Sequence, residues 1–176
     1  PHTHGLSIQI AIDPSTNYLY VPNYWSHNIS VVDGFTGKVI KSIYDSLFPH
    51  AAMFDKFNHD VYVSNFGSES ISVISTETDN VTQTISLGFR PYSISCVPSN
   101  GYIYVSNFNS NNISVINTTT NSIIGSIQVG SGPFGSVFDP DNGYMYVTDF
   151  SSGEISIISI SPVQQKGQSP TIYEVL

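Results

Sequence analysis

The chain has 176 residues, of which 40% are hydrophobic and only 10% charged, against about 25% charged in an ordinary soluble domain. That length suits one domain with a real core, and the low charge excludes a coiled coil or a charged disordered tail. Five Lys and Arg against 13 Asp and Glu give a net charge of −8, which argues against nucleic acid and anionic membrane surfaces as partners, since both need cations to meet phosphate.

The single cysteine, Cys96, excludes an internal disulfide and a CxxC motif, and it reads as a small buried hydrophobe. No apolar run approaches the roughly 20 residues of a membrane helix, so no transmembrane segment is expected. No signal peptide is visible and residue 1 is Pro. The chain therefore reads as a processed form or a piece of a longer one.

A 42-residue repeat organises the whole sequence. The first repeat, residues 5–46, carries Tyr20-Val21-Pro22-Asn23 and Ile29-Ser30-Val31. The second, 47–88, opens near Pro49 and carries Tyr62-Val63-Ser64-Asn65 and Ile71-Ser72-Val73. The third, 89–130, opens near Pro91 and shows the pattern most fully. Its predicted strands are 92–97, 102–108, 113–117 and 123–129, separated by the turns Ser99-Asn100-Gly101, Asn109–Asn112 and Thr118–Asn121. Asn and Gly tolerate positive φ at such turns, and β-branched and aromatic residues fill the strands between them. The fourth, 131–176, has Pro133, Tyr146-Val147-Thr148-Asp149 and Ile155-Ser156-Ile157, and it turns irregular after 160. The stretch Gln164–Pro170 and the final Thr171–Leu176 read as an irregular last strand or a tail. No segment has a 3.6-residue period with helix caps, so almost no helix is expected.

Four-stranded units of this length are the signature of β-propeller blades. In Tyr102-Ile103-Tyr104-Val105, residues of both parities are apolar, as in a strand covered on both faces. The fold class predicted is all-β, a single propeller domain of four four-stranded antiparallel blades. A closed four-bladed ring is favoured, with part of a larger ring or a two-chain ring as alternatives. The segments Phe138–Phe150 and Asn112–Gly130 resemble the YVTN-type propeller repeat of archaeal and bacterial surface-layer proteins. The resemblance covers nearly the whole chain. It implies a cell-surface setting and says little about chemistry, since propellers serve many roles.

Candidate chemistry is sparse. His2 and His4 form an i, i+2 pair at the terminus, which reads as a solvated end. His50 follows Pro49, at a position that faces the central channel in propellers, and its repeat counterparts are Ile8, Tyr92 and Phe134. His50, Tyr92 and Phe134 are taken as candidate binding residues, with His50 expected to be packed or hydrogen-bonded. His59 occupies the turn slot of Gly101 and Gly143 and is expected to be exposed. Asp139-Pro140-Asp141-Asn142-Gly143 resembles the start of a calcium loop, but residue 150, where the loop needs Glu, is Phe150; a hairpin turn is expected. Gly130-Ser131-Gly132-Pro133 lacks the Lys of a phosphate loop, and no G-x-S-x-G elbow occurs. Asp33, Asp45, Asp55, Asp60 and Asp149 are scattered, and Asp149, in place of the repeat's Asn, is expected at an exposed loop edge. No catalytic, cofactor-binding or metal-ligating set is read from the sequence.

Sequons at Asn28, Asn80, Asn112 and Asn117 fall in or beside turns, where side chains are expected to be exposed and open to glycosylation. Aromatics crowd the loop after each YVxN motif: Tyr24 and Trp25, Phe66, Phe108, Phe150. Those sharing the slot of Tyr24 read as packing residues. Trp25, with no aromatic counterpart, is the better contact residue. The leading functional expectation is a non-enzymatic extracellular propeller for glycan or protein recognition, adhesion or surface-layer assembly, with other surface proteins, glycans or further copies as partners. The alternatives are a hydrolase- or lyase-type enzyme with a site near His50, and a structural module that docks through its end blades.

Overall fold

The computed structural model describes residues 9–44 and 47–160. The predicted His2, His4, Ile8 and Asp45, and everything after 160, lie outside the described residues. The chain divides into two compact halves, Pro1–Pro91 and Tyr92–Leu176.

In the first half, β1 (Ala11–Asp13), β2 (Tyr18–Asn23), β3 (Asn28–Asp33) and β4 (Val39–Ile43) form one sheet in sequence order. β5 (Pro49–Asp55), β6 (Asp60–Asn65), β7 (Ser70–Ser75) and β8 (Asn80–Ser86) form a second. β9 (Pro91–Val97), β10 (Tyr102–Asn107), β11 (Asn112–Asn117) and β12 (Ser122–Gln128) form the third sheet. The fourth holds β13 (Pro133–Asp139), β14 (Tyr144–Asp149) and β15 (Glu154–Ser159). All pairings within these sheets are antiparallel. Three sheets thus have the expected four strands. The fourth shows three among the described residues, and the sequence expected to supply its last strand lies beyond them. Among the described residues the only helical turn is a 3-10 turn at Tyr24–Ser26.

The turns explain why the repeat folds this way. Asn17, His59, Gly101 and Gly143, all in one repeat slot, have φ between 60° and 74°. Their amides close the turn where the repeat provides Asp: Asn17 N–H donates to Asp13 O, His59 to Asp55 O and Gly143 to Asp139 O, at 2.8–3.0 Å. The Asp carboxylates cap the same turns, with Oδ1 accepting from Ser15 N, Phe57 N and Asp141 N. Short polar side chains favour such local bonds. The Asp139–Gly143 stretch is thereby a β13–β14 hairpin turn, and exposed His59 serves as a turn residue.

Each half buries one face of its first sheet against the opposite face of its second. In the first half Tyr20, Ile29, Val31 and Ile43 pack with Ala52, Val61, Val63 and Ile74. In the second half Tyr104, Ile113, Val115 and Ile127 pack with Met145, Val147 and Ile158. Ile103, Tyr104 and Val105 are all fully buried, so β10 is apolar on both parities, as its sequence suggested. In each half the two sheets also meet near their leading strands. Ala52 N–H donates to Gln9 O at 3.0 Å, and Ser95 Oγ donates to Ser136 O at 2.8 Å.

Candidate functional site

The fourth residue of each YVxN motif decides where the following aromatic goes. Asn23, Asn65, Asn107 and Asp149 are all buried, at 3%, 1%, 0% and 1% exposure. Each folds back onto the next strand of its own sheet. Asn23 Nδ2 donates to Asn28 Oδ1 and Ser30 Oγ at 2.8 Å. Asn65 Nδ2 donates to Ser72 Oγ at 2.8 Å. Asn107 Nδ2 donates to Asn112 Oδ1 and Ser114 Oγ at 2.8 Å. In the fourth repeat the sense reverses: Ser156 Oγ donates to Asp149 Oδ2 at 2.6 Å, and Gly130 N–H donates to Ser156 Oγ at 3.0 Å. Asp149 is therefore a buried clamp, and the expected loop-edge position is corrected. The bond to Ser156 and the close approach of Gly130 hold the carboxylate inward.

With the hairpin ends clamped, Tyr24, Phe66, Phe108 and Phe150 are held at equivalent points. In the first half they build an aromatic surface. The Tyr24 ring lies 4.9 Å from Trp25, 4.9 Å from Phe48, 6.0 Å from His50 and 6.1 Å from Phe66. His50, 2% exposed at the start of β5, packs its ring against Tyr24 and against Phe66 at 6.4 Å. Trp25 is 67% exposed. His27 stacks edge-on against Phe48 at 4.3 Å and accepts the Phe48 N–H on Nδ1 at 3.2 Å. The Arg90 guanidinium covers the Phe66 ring at 4.9 Å.

In the second half the same slots bring Tyr92 and Phe134 together at 4.5 Å. Phe108 lies 5.3 Å from Tyr92, and Phe150 lies 5.8 Å from Phe134. The predicted binding residues are thus placed in two aromatic clusters: Trp25 and His50 in one, Tyr92 and Phe134 in the other. The rings expected to be packing residues do contact one another, yet Phe150 remains exposed. Phe48, His27 and Arg90 complete the first cluster and were not singled out from sequence. Phe48 and Arg90 share the slot before the repeat's Pro, and that common position was the available signal.

Phe48 adopts φ 51°, and its ring fills the space where a Cβ at Gly67 would sit. Gly67→Ala must therefore push the Phe48 ring aside. The expected cost is about 1–3 kcal/mol, as for other overpacked sites, with a change in Trp25 emission because Phe48 contacts Trp25 at 6.3 Å. Thermal unfolding followed by Trp25 fluorescence checks both.

The sequons divide. Asn80 is exposed, while Asn28 and Asn117 are half-buried. Asn112 is 8% exposed, because its Oδ1 turns inward to accept from Asn107 and from Ser110 Oγ. The expected exposure at Asn112 is corrected on that ground. Cys96, expected to be buried, is half-exposed. A cavity of about 480 Å³ lies at the other end of β9 and β13, lined by Pro98, Phe138, Pro140, Asp141, Tyr144 and Ile160. It contains none of the predicted site residues. Among the described residues, no group of three or more His, Cys, Asp or Glu is placed to hold a metal ion, and no helix is long and apolar enough to cross a membrane.

No protein-family model matches the chain, and no curated protein matches it. Solved structures do. Hydrazine synthase of Kuenenia stuttgartiensis matches with a TM-score of 0.79 and 24% identity, over 89% of this chain and 46% of that one. Dihydro-heme d1 dehydrogenase NirN in complex with DHE matches with a TM-score of 0.71 and 16% identity, over 93% of this chain and 37% of that one. The chain thus spans less than half the length of either protein. At these identities the similarity concerns fold alone, and together with the four sequential antiparallel sheets it identifies a β-propeller-type repeat protein.

Proposed function

We propose that the chain is a non-enzymatic, extracellular or cell-surface propeller segment that recognises glycans or surface proteins, akin to the YVTN-type surface-layer propellers its repeats resemble. The observation that carries this reading is the aromatic surface of the first half, where Trp25 projects at 67% exposure from a clamped and packed base. Rigid, amphipathic rings give contact area at little entropic cost, which suits recognition. The exposed sequon at Asn80 is in keeping with an outside address and with N-linked glycosylation there. The exposed Val39 and Ile40 on β4 offer apolar surface for assembly with further copies or other surface proteins. The alternative, a hydrolase- or lyase-type enzyme with a site near His50, is not better supported: the two similar structures are enzymes or enzyme-related, at identities that carry fold alone.

A glycan array probed with the protein and with Trp25→Ala tests the recognition reading. Central aromatic anchors cost about 2 kcal/mol or more when truncated. Trp25→Ala should therefore weaken binding at least tenfold while leaving thermal stability nearly unchanged. Equal binding by both proteins would remove Trp25 from the site.

A further inference from the structure

We propose that the Trp25–Phe66–Arg90 surface takes a sugar with a single carboxylate, a uronic acid residue within an otherwise neutral glycan. This rests on the recognition reading above and narrows its ligand class. Arg90 is the chain's only arginine. It stands in the slot before the repeat's Pro, filled elsewhere by Leu6, Phe48 and Gly132, so this cation occurs in one repeat alone. It is exposed. Among the described residues it has no hydrogen-bond or ion-pair partner, and its contact is the Phe66 ring at 4.9 Å. A guanidinium stacked on a ring keeps its N–H edge free, and that edge matches a carboxylate in bidentate fashion. Phe66 continues through Tyr24 to exposed Trp25. The C–H face of a pyranose can rest on such rings while its carboxylate reaches Arg90.

Charge decides how acidic the ligand is. The chain carries a net charge of −8, which repels a polyanion lying within the Debye length of about 8 Å from its surface. One arginine offsets one carboxylate and no more. An acidic peptide docking as an added strand fits less well, because that mode needs unpaired backbone. Here the backbone amides are engaged: Phe66 N–H donates to Phe48 O and Gly67 N–H to Leu47 O at 3.0 Å, and Phe48 N–H donates to His27.

The test is calorimetric titration of the whole chain with two oligosaccharides that differ only at one terminal C6, carboxylate against hydroxymethyl. The acidic sugar should bind at least tenfold more tightly. Arg90→Gln should abolish that preference, so that the variant binds the two sugars equally. Arg90→Lys, which keeps the charge without the fork, should restore part of the preference, and Trp25→Ala should weaken both sugars alike. Equal binding of the two sugars by the unaltered chain, or a preference that survives Arg90→Gln, overturns the carboxylate proposal and leaves the recognition reading standing. Binding of an acidic peptide with no binding of either sugar overturns the sugar class. Failure of every ligand to bind overturns both readings.

Discussion

Replacing Tyr104 by Ala is expected to destabilise the folded chain by about 3–5 kcal/mol, the range for deleting a fully buried aromatic ring. Tyr20, Tyr62 and Tyr104 occupy one repeat slot, and each is 0% exposed. Tyr104 sits among Val97, Ile113, Val115 and Met145, where the two sheets of the second half meet. Ala there leaves a cavity that neither sheet can close without losing its own pairing. Tyr104→Phe keeps the ring and removes one hydrogen bond, from Asn100 Nδ2 at 3.1 Å. It should cost only about 1 kcal/mol. Tyr146, the counterpart in β14, is half-buried, so Tyr146→Ala should cost clearly less. Urea unfolding of the three variants gives the order, and equal costs at positions 104 and 146 would contradict the packing described.

Stability should fall steeply above pH 10. Burial is the leading cause that pushes Tyr104 up to about 12. Burial also raises Tyr20 and Tyr62 further still, with the hydrogen bond from Tyr20 to Asp79 adding to the effect. An unfolded tyrosine ionises near pH 10. Between that value and the folded one, the unfolded chain loses phenol protons that the folded chain keeps. The stabilisation is therefore complete below pH 10 and is lost as pH rises through 12. Tyr104 alone accounts for about 2–3 kcal/mol of it. Phenolate absorbance should show Tyr20, Tyr62 and Tyr104 titrating only with unfolding, as judged by parallel circular dichroism. Titration of all of them near pH 10 in a folded chain would contradict the buried slot.

The 42-residue spacing made most of the architecture legible, because local chemistry and tertiary packing repeat together. The turn slot of Asn17, His59, Gly101 and Gly143 could be read directly, since its residues tolerate positive φ. Trp25 and His50 could be singled out as breaks in the pattern. The clamp was misread at Asp149, because a polar residue ending a strand resembles a loop edge. Ser30, Ser72, Ser114 and Ser156, each seven residues on, were the signal that the side chain turns inward. Asn112 was misread for the same reason. Arg90 and Phe48 share a slot that the spacing shows, but their stacking on Phe66 and over Gly67 depends on three-dimensional placement that spacing does not encode.

Trp25 is the chain's single tryptophan and stands in the proposed site, so its fluorescence reports on that surface alone. The most direct measurement is Trp25 emission and acrylamide quenching while neutral and uronate-bearing oligosaccharides are titrated into the whole chain. Recognition at the aromatic surface predicts a saturable blue shift and protection from quenching, tighter for the acidic sugar. Emission and quenching that stay constant across the panel would contradict it.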